Sequence, residues 1–368
     1  MPAAPATTPS RARKDDASSV TAVRSTPWSL TYRSTGPAQP DAEAANPRRS
    51  SLTRAHTLTV LDSNPGGPLA ENSTMWHYTD AAGLLGILGS NPEQRDPSVV
   101  GPQSCQPSFR ATAVQYLNDS RELIHGLEII KNEVLLKRAA ELDAIDYQPN
   151  EYHEIANAPA KAKFFRALCE TIEQVETRTY DHHIHCYITS FSKNPDALSQ
   201  WRGYCGGLDG FTIGIDRDKI SETPETLVRE VSYSDSLPTS SMVTGNVNDW
   251  LNRRLSSTHA PETTSGMLNH CVRELSASAT QLKHQGFTEE AEWRVIHLGY
   301  SKGASYRNRG AQLIPYATWS VPADAVVGVR VGPGPNQQEN YLAAKGALYS
   351  FGYAEVAEKL TKSPTPFR

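Results

Sequence analysis

From Thr74 onward, apolar positions recur with a period of two in some stretches and of three to four in others, and the switches between these rhythms predict the elements. Met75, Trp76, His77 and Tyr78 read as a short strand, and Leu84, Leu85, Ile87 and Leu88, which follow Asp80, make one face of a helix. Residues 91–107, rich in Pro, Ser and Gln, read as a loop. Asp119 and Glu122 then form a capping box for a helix with Leu123, Leu127, Ile130 and Val134 on one side. A second helix over 159–178 spaces Phe165, Leu168, Ile172 and Val175 for one buried face, so the two read as a helical insertion between strands. The strand rhythm returns over 184–192. Asn194-Pro195 has the form of a helix cap and first helical residue, with Gly206 and Gly207 as the stop, and Gln200 and Tyr204, four apart, share a face of that helix.

Residues 211–215 alternate as a half-buried strand, and 228–233 give another. A helix over 267–283 precedes a strand over 293–298, and 326–331 is the last strand. Gly332-Pro333-Gly334-Pro335 is a rigid turn before a closing helix from 336 to about 359. Strands, helices and strands in that order predict an α+β protein with a mostly antiparallel sheet.

Residues 1–73 break this pattern. Ala, Ser, Thr, Pro and Arg dominate, Trp28 and Tyr32 are the aromatics, and nine of the 25 prolines precede residue 70. Such a segment buries too little apolar surface to offset chain entropy, so it reads as a disordered tail or a translocation signal, with a single domain over 74–361. The chain has 368 residues, 38% of them hydrophobic, enough for a real core. No apolar run is long enough for a membrane span, and the early Arg11, Arg13 and Lys14 lack an apolar stretch behind them, which predicts a cytoplasmic protein or one exported by a leaderless route. A net charge of −4 gives no basic field for nucleic acid. Five widely spaced cysteines without a C-x-x-C pair read as reduced thiols.

Candidate chemistry gathers in four stretches: His77-Tyr78-Thr79, Ser190-Phe191-Ser192, Leu198 to Tyr204, and Glu290 to Arg294. Glu290 and Glu292, two apart at a strand mouth, put both carboxylates and Arg294 on one side, with Trp293 and Phe287 anchoring the opposite face. Paired carboxylates repel, which raises the pKa of one unless a cation intervenes; the bland alternative is a solvated strand end with Arg294 as ion-pair partner. His77 is either a donor to a ligand hydroxyl or a histidine bonded to a backbone carbonyl. Ser190 and Ser192 share a strand face. Gln200, Trp201, Arg202 and Tyr204 combine a flat aromatic, a bidentate cation and a phenol, fit for a base and a phosphate, or else a Trp core anchor beside a surface Arg. The run His182, His183, His185, Cys186 has metal-ligand types, but no one strand face offers all four to an ion. Phosphate-cradling loops and G-x-S-x-G are absent, which removes kinase, ATPase and serine hydrolase readings.

Taken in order, His77-Tyr78-Thr79, Asn118-Asp119, Ser190-Phe191-Ser192, Leu198-Ser199-Gln200-Trp201-Arg202-Gly203-Tyr204 and Phe287 to Arg294 resemble the bacterial domain of unknown function 2971 over residues 74–335. That family in turn is similar to the mono-ADP-ribosyltransferase fold, a split antiparallel sheet. The resemblance implies NAD as substrate, no metal, and an unknown protein or nucleic-acid acceptor, in a toxin, defence protein or effector away from membranes. It implies Glu292 as the catalytic carboxylate with Glu290 near the acceptor, His77 and Tyr78 toward the ribose, Ser190 and Ser192 at the nicotinamide pocket, and Gln200, Trp201, Arg202 and Tyr204 as further ligand contacts. Two departures stand against it: the long helical stretch between His77 and Ser190, and the lack of a middle Ser-Thr-Ser. A metal-assisted hydrolase or nuclease, and a non-enzymatic binding module, are the alternatives.

Overall fold

A computed structural model describes residues 73–89, 106–117, 121–145, 157–205, 209–239, 241–256, 263–299 and 303–366. The tail over 1–72, Asn118-Asp119 with its capping box, and Gly206-Gly207 lie outside the described residues.

In chain order the elements are β1 (Thr74–Thr79), α1 (Ala81–Leu88), β2 (Ser108–Ala113), α2 (Arg121–Ile130), a π-helical turn (Lys131–Leu135), α3 (Leu136–Asp143), α4 (Ala158–Glu176), β3 (Cys186–Ser192), α5 (Leu198–Tyr204), β4 (Phe211–Asp216), β5 (Thr226–Glu230), β6 (Ser232–Tyr233), α6 (Met242–Leu255), α7 (Ser265–Ala279), β7 (Leu282–Lys283), β8 (Glu292–Leu298), β9 (Ser305–Arg309), β10 (Gln312–Ser320), β11 (Val326–Val331), α8 (Gln337–Ser350), α9 (Ala354–Glu358) and β12 (Thr361–Lys362). The α+β class and the mostly antiparallel sheet hold.

The sheet runs β12-β11-β4-β1-β3-β2-β10-β9, and β8 joins β3 and carries β5. β8 pairs with β3 from Cys186 to Ser192 and fills one edge of that strand. The other edge is shared: β2 pairs with Tyr187 and Ile188, and β1 pairs at Ser192. Between those two pairings β1 and β2 part, and the sheet is split over Ser190. Alternation along β3 and β8 sends Cys186, Ile188 and Ile296 into a core built with the helical insertion and α7. Phe191 and Val295 face a second core with β4, β11, α8 and α9.

Several expectations are corrected. Strands β2, β9 and β10 and helix α6 stand where the hydrophobic pattern predicts no element. The strand over 211–215 is buried on both faces, because β1 and β11 flank it and the second core covers it. The helix ahead of β8 ends at Ala279, so Lys283 lies on β7. The closing helix is two helices, broken where Gly352 takes a φ of +84°. Helix α5 starts at Leu198, not at Pro195, because the Tyr78 hydroxyl donates to the Asn194 carbonyl and accepts from the Ala197 N–H, both at 2.7 Å. That clamp holds 194–197 as a turn, with Ala197 extended.

Candidate functional site

The split opens into a cleft of about 670 Å³, lined by His77, Tyr78, Ser190, Ser192, Gln200, Tyr204, Glu290 and Glu292 among others. These residues come from β1, β3, α5, β8 and the turn that precedes β8. Trp201 and Arg202 stay outside. The Trp201 ring packs on Tyr78 in a buried cluster and its indole N–H donates to Asp196 at 2.8 Å, whereas Arg202 is exposed. Helical geometry turns only the Gln200/Tyr204 face to the cleft. Phe287 also corrects its expected role: it is 39% exposed on the cleft wall, with the Lys283 ammonium 5.0 Å from its ring centroid, and anchors nothing from behind.

At one end of the cleft five charges interlock. Glu292 is 5% exposed and Arg294 1%, so the solvated strand end is excluded. Arg294 Nε donates to Glu292 Oε1 at 2.7 Å and Nη2 to Oε2 at 2.8 Å, a bidentate pair on one strand face. The same guanidinium reaches Glu122 and the Thr280 carbonyl, each at 2.5 Å. The buried Lys283 ammonium lies 2.8 Å from Glu122, 2.5 Å from Glu290 and 3.2 Å from Glu292. Glu122 reaches this point because α2 and α7 touch at Gly126: a Cβ there would stand 2.1 Å from the Ala279 carbonyl oxygen. Glu290 is not on the strand. It ends a 3₁₀ turn, and Ala291 in the left-handed region swings the chain into β8.

The two carboxylates differ in what remains open. Burial opposes ionisation of Glu292, but Arg294, Lys283 and the Ser190 hydroxyl together hold its pKa down at about 2. With the bidentate Arg294, Lys283 and Ser190 all bonded to it, its lone pairs are essentially spent. Burial pushes the Glu290 carboxyl above its ordinary value, offset by Lys283, and among the described residues Lys283 is its one side-chain hydrogen-bond partner. Three carboxylates face two cations, which leaves this end of the cleft acidic when all are ionised.

His77 sits in the gap between β1 and β2, its ring edge-on to Phe109 at 5.5 Å. Its Nδ1 is 2.9 Å from the Ser190 carbonyl and burial lowers its pKa, so it is neutral near pH 7 with the proton on Nδ1. Of the two sequence readings, the histidine bonded to a backbone carbonyl is the one observed, and Nε2 is left as an acceptor. The Tyr204 hydroxyl is pushed up to about 12 by burial and by Glu292 and Glu290, so it stays a neutral phenol. Ser192 spends its hydroxyl on the Glu290 carbonyl at 2.7 Å, fixing the 3₁₀ turn to β3.

His182, His183 and His185 are exposed on the approach to β3 and Cys186 is fully buried in it, and no cluster of three or more His, Cys, Asp or Glu able to hold a metal occurs among the described residues. The four described cysteines are buried and free, their thiols pushed up by burial. No helix among the described residues is long and apolar enough to cross a membrane.

Glu122 and Lys283 complete the charged cluster and were not picked out as site residues by sequence reasoning. Glu122 carries a first-turn capping signal, and Lys283 sits at the end of an amphipathic run; either placement accounts for a charge locally and hides its long-range partners.

Residues 200–295 match a family described as a protein of unknown function (DUF2971). The match takes in Gln200, Tyr204, Lys283, Glu290, Glu292 and Arg294 and leaves out His77 and β2. No curated protein and no solved structure matches the chain.

Proposed function

We propose that the cleft binds NAD and transfers its ADP-ribosyl group to an acceptor nucleophile, in the manner of a mono-ADP-ribosyltransferase. The observation that carries this reading is the succession His77, Ser190, Glu292 on the adjacent strands β1, β3 and β8, around a split in the sheet and beside a second carboxylate. Cleavage of the bond from ribose C1′ to nicotinamide leaves the electron pair on the ring nitrogen and positive charge on the sugar. A cleft end with more carboxylates than cations stabilises that charge, all the more where water is scarce. Glu290, with an oxygen to spare, meets the ribose or takes the acceptor proton. Glu292 and Arg294 are the fixed frame, and His77 Nε2 accepts from a ribose hydroxyl. The acceptor adds at C1′ and loses its proton, so the sum is NAD plus acceptor giving ADP-ribosyl acceptor, nicotinamide and a proton.

The test is nicotinamide release from NAD by the full chain, with water as default acceptor. Wild type is expected to release it, and Glu290→Gln to lower turnover by about two to four powers of ten at unchanged melting temperature. Glu292→Gln should lose activity and stability together, because Arg294 loses its bidentate partner and Lys283 one of its three carboxylates. Wild-type turnover in Glu290→Gln with a collapse in Glu292→Gln, per folded molecule, would exchange the two roles. No nicotinamide from wild type, together with activity that depends on added divalent metal, would favour the hydrolase instead.

A further inference from the structure

At the opposite end of the cleft Arg110 and Arg307 lie on the wall without a carboxylate partner among the described residues. Ser108, Arg110 and Thr112 alternate onto the cleft face of β2, and antiparallel pairing puts Tyr316 of β10 beside Thr112 and Arg307 of β9 beside Ile314. Arg110 lies with its guanidinium carbon 5.3 Å from the Tyr316 ring centroid. Arg307 donates through Nη2 to the Thr112 hydroxyl at 2.9 Å, while its buried Nε has no hydrogen-bond partner among the described residues. Arg309, on the same face, donates to the Tyr116 carbonyl at 3.1 Å. Among the described residues no carboxylate lies within ion-pair distance of Arg110 or Arg307. Burial, with Arg110 and Arg309 as like-charged neighbours, lowers the Arg307 pKa. Clustered guanidiniums on the wall of a cleft, one with an orphaned N–H, repel one another unless an anion lies among them.

We infer that Arg110 and Arg307, with Arg309 beside them, form a subsite for the diphosphate group of a nucleotide ligand. Guanidinium forks match phosphate oxygens in pairs, and a diphosphate carries enough charge to satisfy more than one of them. Position favours a nucleotide over a free ion. Thr112 pairs with Ile188 and Glu292 with Ser192, so the arginine and carboxylate ends are four residues apart along β3, roughly 13 Å at ~3.3 Å per residue. A ribose linked to a diphosphate spans a distance of that order. Helix α1, packed on β2, shows Ala82, Gly83 and Gly86 to the same cleft, and at Gly86 there is open space where a side chain would begin, so a flat ring has room to lie there.

The subsite stands on its own electrostatics; its assignment to a nucleotide rests on the proposed function. The experiment is calorimetric titration of the full chain with inorganic pyrophosphate, then competition by ADP-ribose, for wild type, Arg110→Gln and Arg307→Gln. Wild type is expected to bind pyrophosphate, each variant about tenfold or more weakly at an unchanged or raised melting temperature, and ADP-ribose should displace it. Failure of wild type to bind, or equal affinity in all three proteins, overturns the subsite. Arginine-dependent binding that ADP-ribose does not displace overturns the nucleotide assignment. ADP-ribose displacement without nicotinamide release from NAD would keep the subsite and sink the transferase reading. Nicotinamide release with an unchanged KM for NAD in Arg307→Gln would do the reverse.

Discussion

The two ends of the cleft hold charge in opposite ways. At the β8 end, Glu122, Lys283, Glu290, Glu292 and Arg294 satisfy one another at 2.5 to 3.2 Å. At the β9 end, among the described residues, Arg110 and Arg307 lie on the cleft wall without a counter-ion and the Nε of Arg307 has no acceptor. A fully paired buried charge, such as Glu292 or Arg294, belongs to the architecture, because removing its partner costs more than the pair contributes, whereas Glu290 keeps an oxygen open to the cleft. An unpaired one is a strain that a ligand relieves. The same residue types therefore report different things, and the neighbours of each charge decide which.

The largest effect separating the two ends is expected at Lys283. Lys283→Met leaves three carboxylates facing Arg294 alone, and denaturant unfolding should show a loss of about 3–5 kcal/mol. A loss under about 1 kcal/mol would mean that the cluster is not coupled. The acid limb of stability comes next. Glu292 has a folded pKa of about 2 against an ordinary 4.5, so its contribution is present above about pH 5 and is lost as pH falls toward 2. Wild type should lose up to about 3 kcal/mol more than Glu292→Gln over that window; Glu290, shifted upward, works in the opposite sense. Parallel pH profiles for the two proteins would contradict the pairing.

Gly126→Ala should cost about 1–3 kcal/mol, since the new methyl meets the Ala279 carbonyl and lifts Glu122 from Arg294. Unchanged stability there would show that α2 reaches the cluster by another route. The smallest effect belongs to the other end: Arg307→Gln should leave unfolding within about 0.5 kcal/mol of wild type, or raise it. A clear loss of stability would show that Arg307 is structural after all.

What the sequence displayed follows the same division. Alternation around His77, Ser190 and Glu292 was legible because strands β1, β3 and β8 are rich in aromatic and β-branched residues, and i,i+4 spacing was enough to put Gln200 and Tyr204 on one face. Strand β2 carried a period-two signal too, Phe109, Ala111 and Ala113 against Ser108, Arg110 and Thr112, but small alanines make it faint. Strand β9 is almost wholly polar, and Pro315 in β10 argues against a strand, although it pairs with Tyr306 beside the sheet's edge. The arginine end was invisible for that reason. Trp201 misled in the other direction: its ring fills a pocket beside Tyr78, a partner 123 positions away that no local pattern reveals.

The most direct measurement is the steady-state release of nicotinamide from NAD by wild type, Glu290→Gln and Arg307→Gln, with kcat and KM resolved. A cleft that holds diphosphate at one end and stabilises a cationic sugar at the other requires Glu290→Gln to lose kcat at nearly unchanged KM, and Arg307→Gln to raise KM at nearly unchanged kcat. The absence of nicotinamide release from wild type, or the same pattern of change in both variants, would contradict it.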